Sequence, residues 1–192
     1  MTKKRLKQPL VWVYPKGIQN QYERTLLAMV REWETQAKNV IIPLLPSITA
    51  NAYAFKNPIA SDIISADSND VKNDDWVDDV KLMMSNFSAK IAGFIPSVSF
   101  LSGLGNRISE FNNKQWRKIV KHSLNIDYFN QEAWLNSHIN SFVDENTTLI
   151  TKLQNEVIDD INGLVNRGIK VGKRHETIAK EILNGTELQA GR

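Results

Sequence analysis

Three histidines, His122, His138 and His175, are the residues that could first suggest a metal site or acid–base chemistry. No two of them are four residues apart, so one helix cannot present a pair of them to a zinc ion. His175 begins a pattern similar to a zinc-protease motif, but Ala179 stands where the second histidine is needed. The chain also has no cysteine, which excludes thiolate ligands, a thiol nucleophile and disulfides. We predict no cofactor and no metal site.

A cluster of aspartates is the strongest candidate for cation-dependent catalysis. Its members are Asp74, Asp75, Asp78 and Asp79. Neighbouring carboxylates repel each other and a divalent cation would relieve that repulsion, but no glycine-containing calcium loop surrounds them. A solvated acidic face at the start of a helix is the favoured interpretation. The enzyme alternative is a magnesium-dependent nuclease that uses these carboxylates. No nucleophile elbow or phosphate loop supports an enzyme, so we predict a non-enzymatic role.

A row of cations is the clearest candidate binding feature. It consists of Lys114, Arg117, Lys118 and Lys121. The spacing i, i+3, i+4, i+7 places all four on one side of a helix predicted over 107–124. Trp116 falls on the opposite side, which argues against base stacking by this helix but leaves contact with DNA phosphates open. These four residues are therefore the predicted DNA-phosphate contacts.

The charge distribution is segregated, although the net charge is only +3 and the pI is about 9.0. Lysine and arginine crowd residues 1–8, aspartate dominates 62–79, and cations return at 107–121 and again at 167–174. Segregation of this kind indicates oriented docking on a partner. The alternative is a set of solvated helix faces.

Hydrophobic periodicity predicts helices along most of the chain. One apolar stripe, at three- and four-residue spacing, runs from Ile18 to Leu44, where Pro43 and Pro46 are expected to end the helix. Residues 46–73 are then predicted to form an irregular connector. The next helix carries Trp76, Val80, Met83, Met84, Phe87 and Ile91.

The second half of the chain repeats this organisation. Pro96 is expected to stop or kink the preceding helix, and Gly103 and Gly105 are expected to hinge a bend over 97–106. After a turn near residue 127, a long stripe covers 135–164. Asn146-Thr147-Thr148 either breaks it with a new cap or is a polar notch in one helix. A last helix is predicted over 175–183, ended by Asn184-Gly185.

These patterns predict an all-α fold of several long amphipathic helices with irregular connectors, compatible with an elongated shape. We divide the chain into a flexible basic arm over 1–17, a helical region over 18–124 and a second helical region over 125–192. Four of the five tryptophans occupy stripe positions and are predicted to pack in the core: Trp33, Trp76, Trp116 and Trp134. No stretch reaches the ~20 apolar residues of a membrane-spanning helix.

Residues 116–183 resemble the phage head morphogenesis family, the Mu F-like minor capsid proteins. The basic helix QWRKIVKHSLNID, the start EAWL and the closing helix ETIAKEIL match in order and spacing. The signature "EN..LI" is matched by Glu145, Asn146, Leu149 and Ile150. The resemblance implies that these four residues have a structural role.

The same resemblance implies a function. Members are low-copy proteins of the virion head interior, present in the host cytoplasm before assembly. They associate with the portal or the major capsid protein and assist head assembly, DNA packaging or DNA ejection, in some cases beside packaged double-stranded DNA. The alternative to this expectation is a helical DNA-binding module or regulator without a virion role.

Overall fold

The computed structural model describes residues 8, 10–56, 75–126 and 135–190, which form helices and no strand, so the all-α prediction is confirmed for them. The helices are α1 (Lys16–Gln36), a π-helical turn (Ala37–Ile41), a 3-10 turn (Ile42–Leu44), α2 (Leu45–Lys56), α3 (Asp75–Ala92), α4 (Val98–Leu124), α5 (Leu135–Val171) and α6 (His175–Ala190). None of these described helices is both long and apolar enough to cross a membrane.

The first helix begins earlier than expected, because the carbonyl of Pro15 accepts the N–H groups of Ile18 and Gln19 at 3.0 and 3.2 Å. Helical structure then continues past the two prolines that were expected to end it. Pro43 lies in the first turn of the 3-10 segment and Pro46 in that of α2, where the fixed φ of proline suits the start of a helical segment. The predicted connector over 46–73 is therefore wrong for 46–56, and 57–73 lie outside the described residues.

The π-helical turn also changes which side chains are buried. A π turn holds one residue more than an α turn, so the stripe moves on by one position after it. Ile41 and Leu45 are completely buried, whereas Leu44, a predicted stripe residue, is 41% exposed. Local helix periodicity could not anticipate this shift.

Helix α3 agrees with the sequence prediction. Val80, Met83, Met84, Phe87 and Ile91 are all buried. The helix ends at Ala92, four residues before Pro96.

Helix α4 corrects the prediction of a bend over 97–106. The helix begins at Val98, and Ser97 caps it through a hydrogen bond from the Phe100 N–H to the Ser97 Oγ at 3.2 Å. Gly105 is buried inside the helix, and a Cβ added there would lie 3.1 Å from Ile139 Cγ2 of α5. That glycine therefore allows a close helix–helix approach and is not a hinge.

Helix α5 is continuous through Asn146, so the alternative of a polar notch is the correct one. Its buried stripe runs through Ile150, Gln154, Val157 and Ile161, while Leu149 is 63% exposed. The helix ends at Val171. Gly172, which follows it, has a φ of +83°, and the Lys173 N–H donates to the Gly168 carbonyl at 2.9 Å. This is the Schellman arrangement, which favours glycine at the left-handed position.

Helix α6 continues to Ala190, so the predicted stop at Asn184-Gly185 is wrong. Ile178 and Ile182 are buried on its inner face. Packing of this face offsets the weak helix preference of the Asn-Gly pair, about 1 kcal/mol for glycine relative to alanine.

The chain divides into two compact units. The first unit comprises Met1–Leu26 and Pro96–Leu149, and the second comprises Leu27–Ile95 and Ile150–Arg192. In the second unit α3 packs against α2 and the π-helical turn, and α2 packs against α6. Its core contains Trp33, Phe87, Ile91, Ile169 and Ile178, all buried.

Candidate nucleic-acid interface

The predicted cationic row lies on the C-terminal half of α4, in the first unit. Lys114, Lys118 and Lys121 are exposed and Arg117 is half-buried among them. Leu101, Leu104 and Val120 on other positions of the same helix are buried, so α4 is two-sided, as the sequence predicts. We call the surface formed by Lys114, Arg117, Lys118 and Lys121 the cationic face. It can contact phosphates, which need only well-placed cations.

The tryptophans differ from one another in burial. Trp33 is 1% exposed, which confirms its place in the core, and Trp76 is half-buried. Trp116 is 48% exposed, so the prediction that it packs in the core is wrong. A tryptophan ring at the edge of an apolar stripe is too large to be covered by one neighbouring element. Trp134 lies outside the described residues.

A side chain of α4 fixes the segment that precedes α1. Gln115 Oε1 accepts the Val13 N–H at 2.7 Å, and Gln115 Nε2 donates to the Val13 carbonyl at 2.5 Å. One amide thus satisfies both backbone polar groups of Val13, as a neighbouring strand would. The predicted flexible arm is therefore anchored at this point, while Lys3, Lys4, Arg5 and Lys7 lie outside the described part.

This anchored segment, the start of α1 and α4 line an open groove of about 820 Å³. We call it the arm groove. Its lining is formed by Val13, Tyr14, Pro15, Lys16, Gly17, Ile18, Arg107, Glu110, Phe111 and Lys114. Sequence reasoning missed it, because its two walls are about a hundred residues apart in the chain and no local pattern pairs them.

Polar contacts join α1 to its neighbours within the first unit. The Tyr22 hydroxyl donates to Asn146 Oδ1 at 2.6 Å, and Asn146 Nδ2 donates to the Phe142 carbonyl at 2.7 Å. Burial raises the pKa of the Tyr22 phenol above its ordinary value. Arg107 donates through Nη1 to Gln21 Oε1.

The four signature residues have different environments. Glu145 and Leu149 are exposed, Asn146 is half-buried and Ile150 is buried. Asn146 does not cap a helix. It occupies the polar notch and accepts a hydrogen bond from the Tyr22 hydroxyl.

The candidate catalytic aspartates that the structure describes have different partners. Asp78 Oδ1 pairs with Lys81 Nζ at 2.9 Å, and Asp79 Oδ2 accepts from Asn51 Nδ2 at 3.4 Å. Asp74 and the Asp75 side chain lie outside the described part. Within that part, no three histidine or carboxylate side chains come close enough together to hold a metal ion.

Comparison with known proteins gives no match to a protein-family model, a curated protein or a solved structure.

Proposed function

We propose that this chain is a non-enzymatic, structural minor head protein of a tailed phage. It would associate with the portal or the capsid interior and assist head assembly, DNA packaging or DNA ejection. The assignment to a phage head depends on the resemblance of residues 116–183 alone. The binding role is supported separately by the surfaces of the first unit.

The single observation that carries the binding role is the two-sided character of α4. Its buried residues Leu101 and Leu104 hold the helix in the unit, while Lys114, Lys118 and Lys121 are exposed. Exposed cations at this spacing match the repeated negative charge of a nucleic-acid backbone. The contact is electrostatic, so it is independent of base sequence and weakens with salt.

A protein partner is supported by the exposed apolar segment before α1. The adjacent residues Val11 and Trp12 are 86% and 48% exposed, respectively. Contiguous exposed apolar side chains are typical of protein-interaction sites. In the proposed function this segment docks on the portal or capsid.

Capture by the portal protein of the same phage tests this proposal. The wild-type chain should co-purify with the assembled portal, and Val11→Lys/Trp12→Lys should reduce the recovered amount at least tenfold. Leu82→Lys, which alters an apolar side chain of α3 that is 63% exposed, is the matched control and should leave capture unchanged. Absence of capture by any portal or capsid protein under assembly conditions would contradict the virion role.

A helical DNA-binding module or regulator is the second candidate. The cationic face favours it independently of the family resemblance. It predicts retardation of duplex DNA in a gel at low salt together with no capture by portal protein. A nuclease would instead degrade DNA with magnesium and lose that activity in Asp75→Ala. The three outcomes are mutually distinguishable in one set of purified variants.

A further inference from the structure

The arm groove combines two kinds of side chain that the cationic face does not. Tyr14, which is 61% exposed, and the half-buried Phe111 supply aromatic rings. Lys16, Arg107 and Lys114, all exposed, supply positive charge in the same lining. Sites for unpaired nucleic acid have this composition, because bases stack on aromatic rings while cations follow the backbone.

We propose that the arm groove binds a segment of single-stranded nucleic acid, with a base against Tyr14 and the phosphates near Lys16, Arg107 and Lys114. This goes beyond the duplex contact proposed for the cationic face. A duplex presents its phosphates outward and keeps its bases paired, so it cannot place a base in a groove. An unpaired base is flat and can enter it.

The size and charge of the arm groove support this ligand. Its volume of about 820 Å³ lies within the range of roughly 300–1,000 Å³ that is usual for small-molecule pockets. The lining residues include three cations and only one carboxylate, Glu110. The first residues of α1 also line the groove, and the positive end of the helix dipole favours an anion there.

The groove is held in place before any ligand binds. The paired hydrogen bonds between Gln115 and Val13 fix the wall that carries Tyr14. Arg107 uses one of its five N–H donors on Gln21, which orients the guanidinium and leaves other donors for a phosphate. A preorganised wall lowers the entropic cost of binding.

The test measures fluorescence anisotropy of labelled oligothymidylate and of a duplex of equal length, with the full chain. Tyr14→Ala changes no charge and removes an exposed ring, so the fold is expected to persist. It should weaken oligothymidylate binding about fivefold or more, while duplex affinity stays within about twofold. Tyr14→Phe keeps the ring and should retain wild-type affinity. Gln115→Ala should weaken oligothymidylate binding by releasing the wall.

Three results would overturn the inference. Oligothymidylate could fail to bind the wild type at low salt, or bind with no change in Tyr14→Ala. A labelled oligoglutamate peptide could bind in a Tyr14-dependent manner while oligothymidylate does not, which would assign the groove to acidic protein segments. Loss of duplex binding alone would contradict the cationic face and leave the arm groove standing, so the two proposals fail separately.

Discussion

The two units of the chain use their apolar residues differently. In the second unit Trp33, Phe87, Ile91 and Ile178 are almost completely removed from solvent. In the first unit Leu101 and Leu104 are equally buried, but the large aromatic side chains of Trp12, Tyr14 and Trp116 are 48–61% exposed.

This difference indicates that the two units have different roles. Burial of large side chains provides the main stabilisation of the second unit, because apolar burial contributes about 25 cal/mol per Å². The first unit instead fixes its surface with polar contacts, such as those between Gln115 and Val13 and between Tyr22 and Asn146. We infer that the second unit supports the fold and that the first unit carries the binding surfaces.

Removal of a core tryptophan is expected to lower the free energy of unfolding most. Trp33→Ala deletes a side chain that is 1% exposed and whose Nε1 donates to the Ile91 carbonyl at 3.1 Å. A loss of about 3–5 kcal/mol in the free energy of unfolding is expected, measured by urea unfolding followed by circular dichroism. Trp116→Ala in the first unit should cost less than about 1 kcal/mol. Equal costs would show that the two units do not differ in this way.

Alanine substitution of one glycine in each unit is expected to change the stability by an intermediate amount. In Gly168→Ala the new Cβ would lie 2.6 Å from Cγ1 of Ile178, a residue with no exposed surface and therefore little room to move. We expect a destabilisation of about 1–3 kcal/mol. Gly103→Ala in α4 meets nothing within 4 Å and should stabilise the chain by about 0.5–1 kcal/mol. Opposite signs in thermal unfolding are expected, and a stabilising Gly168→Ala would contradict the tight contact.

A smaller effect than that of the core substitutions is expected for the polar contact of the first unit. Tyr22→Phe removes the hydrogen bond to Asn146 and should cost about 1 kcal/mol near neutral pH. Burial raises the folded-state pKa of Tyr22, so the folded chain holds this proton more tightly than the unfolded chain does. The contribution is complete below pH 10.0, the ordinary value, and is lost as the pH rises through the raised folded-state pKa.

Phenolate absorbance during an alkaline titration measures this directly. The wild type should show a tyrosine step above the ordinary range, and Tyr22→Phe should lose the amplitude of one tyrosine from this late step. Tyr14→Phe, at an exposed position, is the control and should keep the late step. Identical titrations of wild type and Tyr22→Phe would show that the ring is not buried as described.

Much of the fold could be predicted from periodicity, and the failures have physical causes. The α3 stripe was predictable because a regular helix buries residues at fixed spacing. The shift after Ala37 was not, because a π turn changes that spacing. Residues 149 and 150 are both apolar, so local spacing could not tell which one is buried. Tertiary packing buries Ile150 and leaves Leu149 exposed.

The candidate interface shows the same limit. The cationic face follows from spacing alone, and its exposed lysines lie where the sequence places them. The arm groove could not be predicted, because it depends on the pairing of Val13 with Gln115, 102 residues away. Glycine permits both a hinge and a close helix contact, so the sequence alone could not distinguish these two roles for Gly103 and Gly105.

The most direct test of the central claim is the salt dependence of duplex DNA binding by the full chain. Three or four phosphate contacts on the cationic face predict a slope of about −3 to −4 for log K against log salt concentration. Lys118→Gln/Lys121→Gln should reduce the slope by about 2, whereas Lys90→Gln/Lys180→Gln, a matched pair on exposed positions of α3 and α6, should leave it unchanged. Equal slopes for the two double variants, or no duplex binding by the wild type at low salt, would contradict the account.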